Sequence, residues 1–116
     1  MKATKPFNAQ SGIGDVAFFD IGDGIVARVT IARDEFAIGD VLSNAPQVAV
    51  WPTDRAAFDR GDRTFVGVTV ELECDDWKKT GFQGLWGIEV DWRKDNSPHL
   101  NECAESVVSW ALDETH

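Results

Sequence analysis

From residue 64 to residue 112 the chain alternates, turns, alternates again and then changes period. In TFVGVTVELEC the side chains of Val66, Val68, Val70, Leu72 and Cys74 take the even positions, and Phe65, Gly67, Thr69, Glu71 and Glu73 the odd ones. In GLWGIEVDW the even positions hold Trp86, Ile88, Val90 and Trp92, and the odd ones Leu85, Gly87, Glu89 and Asp91. Successive strand residues face opposite sides of a sheet, so both segments read as half-buried antiparallel strands. A slip of one residue would turn four carboxylates into the core, which fixes the register. By this parity Trp86 and Trp92 face inward. The polar connection 75–83 is too long for a tight hairpin turn. After it, Leu100, Cys103, Ala104, Val107, Val108, Ala111 and Leu112 recur at helical spacing, with Asn101, Glu102, Glu105, Ser109 and Asp113 on the other side. Ser97 is the expected N-cap and Pro98 the first helical residue, where a missing N–H costs nothing. The stripe would cover Val68, Val70, Ile88 and Val90.

Earlier in the chain, 16–21 and 25–31 read as a hairpin about an Asp23-Gly24 turn, with Arg28 on the outer face near the acids of the later strands. Segment 33–44 is ambiguous because Gly39 interrupts its helical pattern, and 47–51 reads as a short strand. A short helix over 54–59, capped by Thr53, stops at Gly61. The expected fold is α+β: an antiparallel sheet of about four to five strands with the C-terminal amphipathic helix packed on one face. It forms one domain over 1–116, with 1–15 as a loosely ordered arm.

Charge is the most informative global property. Twenty acidic residues against eleven basic ones give −9. Residues 1–70 carry nine acids and seven bases, and 71–116 carry eleven acids and four bases. The excess therefore lies on the later strands, their turn and the last helix. Such a field repels nucleic acid and anionic membranes and attracts basic surfaces. No apolar run is long enough to span a bilayer, the N-terminus has no signal-peptide core, and two cysteines fit a reducing compartment; the expected location is the cytoplasm.

Chemistry-bearing patterns are sparse. His99 has no nucleophile motif beside it. His99 and Cys103 lie four apart on one helix and Cys74 ends a facing strand, but a zinc site would lack a fourth ligand, and buried free cysteine is common in cores. No phosphate-cradling glycine motif and no basic stripe occur. Glu71, Glu73, Glu89 and Asp91 offer acid–base pairs only if a cleft desolvates them. No catalytic residue, metal ligand or cofactor is assigned. The remaining constellation is acidic: Glu71 and Glu73 on one strand, Glu89 and Asp91 on the next, and Asp75 and Asp76 at the turn, with Trp77 or Phe65 as apolar anchors. Its functional reading is a partner-binding patch; its bland one is a solvated face that protects a sheet edge.

The segment 57–112 resembles a group of small uncharacterised proteins of bacteriophages and mobile elements. The residues that carry the resemblance are Phe65, Val66, Gly67, Val68 and Val70, then Leu85, Trp86, Gly87, Ile88 and Glu89, then Asp91 and the acidic helix from Leu100. The chain departs from that pattern at Gly84, where serine is expected, and by the insertion WRKDNSPH. The resemblance implies a phage or prophage context in a bacterial host, and no chemistry. With the charge, it gives the expectation of a non-enzymatic accessory protein that binds and inhibits a host nucleic-acid-handling protein. Its acidic face would stand in for DNA phosphates against a restriction or CRISPR effector. A homodimer through an open sheet edge is the alternative, and a small carboxylate enzyme the third.

Overall fold

One strand, Arg63–Cys74, pairs with three of the other five described strands of the sheet. The computed structural model describes residues 1–34 and 52–114. Within these the elements run β1 (Lys2–Lys5), β2 (Val16–Gly22), β3 (Ile25–Arg33), α1 (Pro52–Arg60), β4 (Arg63–Cys74), β5 (Trp77–Lys79), β6 (Leu85–Asp91) and α2 (Ser97–Glu114). All pairings are antiparallel, in the order β1-β2-β3-β4, and the far edge of β4 is shared between β5 and β6. The fold is α+β as expected, with six strands in the sheet among the described residues. The expected strand 47–51 lies outside the described residues, as does most of 33–44.

The alternation of β4 sorts its side chains as the sequence indicates. Thr64, Val66, Val68, Val70 and Leu72 are buried on the inner face, while Phe65, Thr69, Glu71 and Glu73 on the outer face are partly exposed. Ala27, Val29 and Ile31 of β3 and Ala17 and Phe19 of β2 extend the inner face. α2 covers it with Leu100, Cys103, Ala104, Val107, Val108 and Ala111, all buried. Burying one such aliphatic side chain contributes about 1.5–3 kcal/mol, so this stripe is what holds the helix to the sheet.

The helix ends are built from local hydrogen bonds. α1 stops in a Schellman arrangement: Gly61 N–H donates to Phe58 O, Asp62 N–H donates to Ala57 O, and Gly61 has φ +81°. α2 begins one residue earlier than its sequence suggests. Leu100 N–H donates to Asn96 O, so Asn96 is the cap residue and Ser97 is already helical. Asp95 Oδ1 accepts both the Ser97 amide, at 2.9 Å, and its hydroxyl, at 2.6 Å. A carboxylate suits the positive end of a helix better than the serine hydroxyl it replaces there.

Two further expectations are corrected. Residues 1–15 are not a loose arm: β1 pairs with β2, and Phe7 is buried in the core. Asn101 holds it there instead of facing water. Its Oδ1 accepts the Phe7 amide at 2.9 Å, and its Nδ2 donates to the Phe7 carbonyl at 3.1 Å. The connection 75–83 also contains a strand of its own. Asp75 and Asp76 form a two-residue turn, because Cys74 faces Trp77 across the β4–β5 hairpin.

Candidate functional site

The outer face of the sheet owes its shape to a bulge in β6. β4 and β6 pair in step from Arg63↔Asp91 to Val66↔Ile88, then resume at Val68↔Leu85. Two residues, Trp86 and Gly87, therefore stand against Gly67 alone. Gly87 has φ +75°, a conformation that glycine adopts without strain. The bulge reverses the parity of the strand beyond it. Leu85 turns in and packs against the core, and Trp86, expected inside, lies outside at 49% exposure. The indole rests on two glycines. A Cβ added to Gly67 would come within 2.7 Å of the ring's Cδ2, and one added to Gly84 within 3.0 Å of its Nε1. Asp34, just past β3, reaches over β4 to accept the Gly87 amide at 2.7 Å with Oδ2.

The six carboxylates expected to form one patch fall into two groups. On the outer face and along β6, three engage cations of the same chain. Lys78 Nζ lies 2.9 Å from Glu71 Oε1, and Arg28 stands opposite Glu71 in the register. Arg63 pairs with Glu89. Arg93 grips Asp91 with two parallel bonds, Nε and Nη2 each at 2.9 Å. The Lys78 hydrogen bond holds the Glu71 carboxyl below its ordinary range. Arg93 does the same to Asp91, by its side chain first and its amide second. Phe65 is withdrawn as an exposed anchor: it is half-buried and stacks on Phe58 of α1, with centroids 5.5 Å apart, while Arg63 lies over Phe58.

The second group lies at one end of the sheet, where two hairpin tips stand side by side. Val26 faces Glu73, and a Cβ on Gly24 would meet Cys74 Sγ at 3.8 Å, so the Asp23-Gly24 turn is beside the Asp75-Asp76 turn. Asp23 has φ +56° and Gly24 φ +75°, the left-handed pair of a two-residue hairpin loop. Asp20, Asp23, Asp75 and Asp76 are exposed and Glu73 half-exposed. Trp77 follows them at 42% exposure. Of the residues assigned from sequence, the structure thus brings Glu73, Asp75, Asp76 and Trp77 together, and gives Glu71, Glu89 and Asp91 intramolecular partners. Sequence reasoning missed Asp23, Asp34 and Arg63, because each acts across strands whose order only the fold reveals.

The three residues weighed for a zinc site do not converge. His99 Nε2 and Cys103 Sγ are 3.9 Å apart, but Cys74 stands at the hairpin end beside Gly24 and Trp77. Among the described residues no group of three or more His, Cys, Asp or Glu side chains is placed to hold a metal ion. Burial raises the Cys103 thiol above its ordinary value, and Glu102 adds to the shift. No helix of the described residues is long and apolar enough to cross a membrane.

No protein-family model matches the chain, and neither the curated proteins nor the solved structures include a match.

Proposed function

We propose that this chain is a non-enzymatic acidic accessory protein that binds a basic surface on a nucleic-acid-handling protein of a bacterial host. The observation that carries the reading is the pair of adjacent hairpin tips. Asp23, Glu73, Asp75 and Asp76 gather at one end of the sheet with the exposed Trp77 beside them. Carboxylates on two adjacent turns present negative charge where phosphates would otherwise sit, and an aromatic ring adds an apolar anchor. The net charge of −9 adds long-range attraction to a basic partner. The phage context rests on the resemblance over 57–112, and defence enzymes with a nucleic-acid channel are the partner class that both features favour.

Affinity capture from a bacterial lysate, eluted with rising salt, tests this. The wild-type chain is expected to retain a basic nucleic-acid-handling protein that elutes with salt, and the Asp75→Lys/Asp76→Lys variant to lose it. Equal retention by that variant, with its fold verified by circular dichroism, would remove the hairpin tips from the interface.

A homodimer through an open sheet edge is the competing arrangement. β1 is such an edge and is exposed along its length, but Lys2 and Lys5 stand on it, and lysine on an edge strand opposes pairing with a second copy. Light scattering at high concentration separates the two arrangements.

A further inference from the structure

The far edge of β4 is not continuously paired. β6 ends its pairing at Val68 and β5 begins at Leu72, so residues 69–71 lie between the two ladders. There residues 80–82 form one side of a cleft of about 370 Å³, with Arg28, Thr30, Thr69, Val70 and Glu71 along the rest of its lining. The wall is anchored, since Phe82 packs against the core and Lys79 lies 5.6 Å over its ring. The floor is held by the Lys78–Glu71 pair and by the Arg28↔Glu71 and Thr30↔Thr69 register. Trp86 stands outside this lining, past Thr69. Its indole lies on Gly67, two positions from Thr69 on the same face, and reaches Gly84, the residue before the start of β6.

We propose that this cleft binds a neutral sugar ring. The charges on its lining balance: Arg28 stands opposite Glu71 in the register. A charged ligand therefore gains no net attraction, whereas a ligand of hydroxyls meets what it needs. Three threonine hydroxyls both donate and accept, a guanidinium offers a fork of donors and a carboxylate a pair of acceptors, a geometry that suits vicinal diols. The apolar face of a pyranose requires a flat ring beside those groups. The Trp86 indole supplies it, with one side seated on backbone and the other open to solvent. The volume falls at the small end of the range of about 300–1,000 Å³ for ligand pockets, and suits one or two rings.

Titration of the ¹⁵N-labelled chain with the methyl glycosides of glucose, galactose, mannose and N-acetylglucosamine, and with cellobiose, tests the site. At least one probe is expected to shift the Trp86 indole N–H and the amides of Thr69 and Gly81, saturating in the millimolar range. Tighter binding of cellobiose than of the single glucose ring points to a sugar chain as the source, and the reverse to a free sugar. Trp86→Ala is expected to weaken binding about tenfold, the size of an aromatic contact. Thr69→Val keeps the side-chain volume, preserves the fold and removes one hydroxyl, and is expected to weaken binding about threefold to tenfold. Absence of shifts with all five probes, or unchanged affinity in both variants, would overturn the proposal. The hairpin-tip variant leaves this cleft intact, so the two sites are tested separately.

Discussion

Asp34 Oδ2 accepts a hydrogen bond from the Gly87 amide at 2.7 Å, joining the end of β3 to the bulge of β6 across the strand between them. The carboxylate belongs to a residue only 6% exposed, and the Asp34 amide donates to Phe65 O at 3.1 Å, so Asp34 is fixed at both ends. A bulge leaves backbone groups out of the ladder, and a hydrogen bond to a charged group contributes about 1.5–3 kcal/mol. Asp34→Ala is therefore expected to destabilise the chain by about 1.5–3 kcal/mol in urea denaturation. Amide exchange at Gly87 is expected to rise with it, and an unchanged exchange rate would count against the bond as the lock on the bulge.

Gly67 is the other half of that lock. Its missing side chain is the space in which Trp86 lies, so Gly67→Ala must displace either the indole or the strand. Overpacking of this kind costs about 1–3 kcal/mol. The expected signature is a red shift and greater quenching of tryptophan emission, because the ring leaves its seat for water. A variant with wild-type emission and stability would mean that the ring has another resting place.

Much of this fold is legible in the sequence where one period runs without interruption. The even positions of β4 and the α2 stripe from Leu100 to Ala111 are buried as their spacing dictates. The reading fails at Trp86 because one residue of bulge reverses the faces on one side of it: Ile88 and Val90 stay inside, while Leu85 and Trp86 change places. The signal was Gly87 itself, a glycine inside an alternating run, which marks a bulge as readily as a small side chain. The acidic patch was half legible for another reason. Composition counts carboxylates but not their partners: the place of Arg28 beside the acids follows from strand alternation, whereas Arg63 meets Glu89 through a pairing assigned only by register. Asp23 and Asp76 are 53 residues apart and become neighbours only because Val26 pairs with Glu73.

Asn101 fastens the N-terminal segment to α2 through both main-chain groups of Phe7. Two part-buried hydrogen bonds contribute about 1–2 kcal/mol together, and their loss also loosens the buried Phe7 ring. Asn101→Ala is expected to lower stability by that amount and to raise amide exchange across β1 and Phe7 while β4 stays protected. Uniform loss of protection would show instead that the segment unfolds only with the whole sheet.

Acid should weaken this fold in a way that its own pairs predict. Glu71, Asp91 and Asp95 are held below their ordinary values, by Lys78, by Arg93 and by the Ser97 hydroxyl and amide respectively. Each therefore takes up a proton less readily in the folded chain than in the unfolded one. The stability that this adds is present above the unfolded carboxyl values and is lost as pH falls through the folded ones. The urea midpoint is expected to be flat from neutral pH to about pH 5 and to fall below it. The three groups are in contact with water, so each share is small. Asp95→Asn keeps an acceptor at the start of α2 but removes its charge, and should flatten part of the acid limb while lowering the neutral midpoint slightly. A midpoint that rises on acidification, or an acid limb unchanged by Asp95→Asn, would show that repulsion among the chain's excess carboxylates outweighs these pairs.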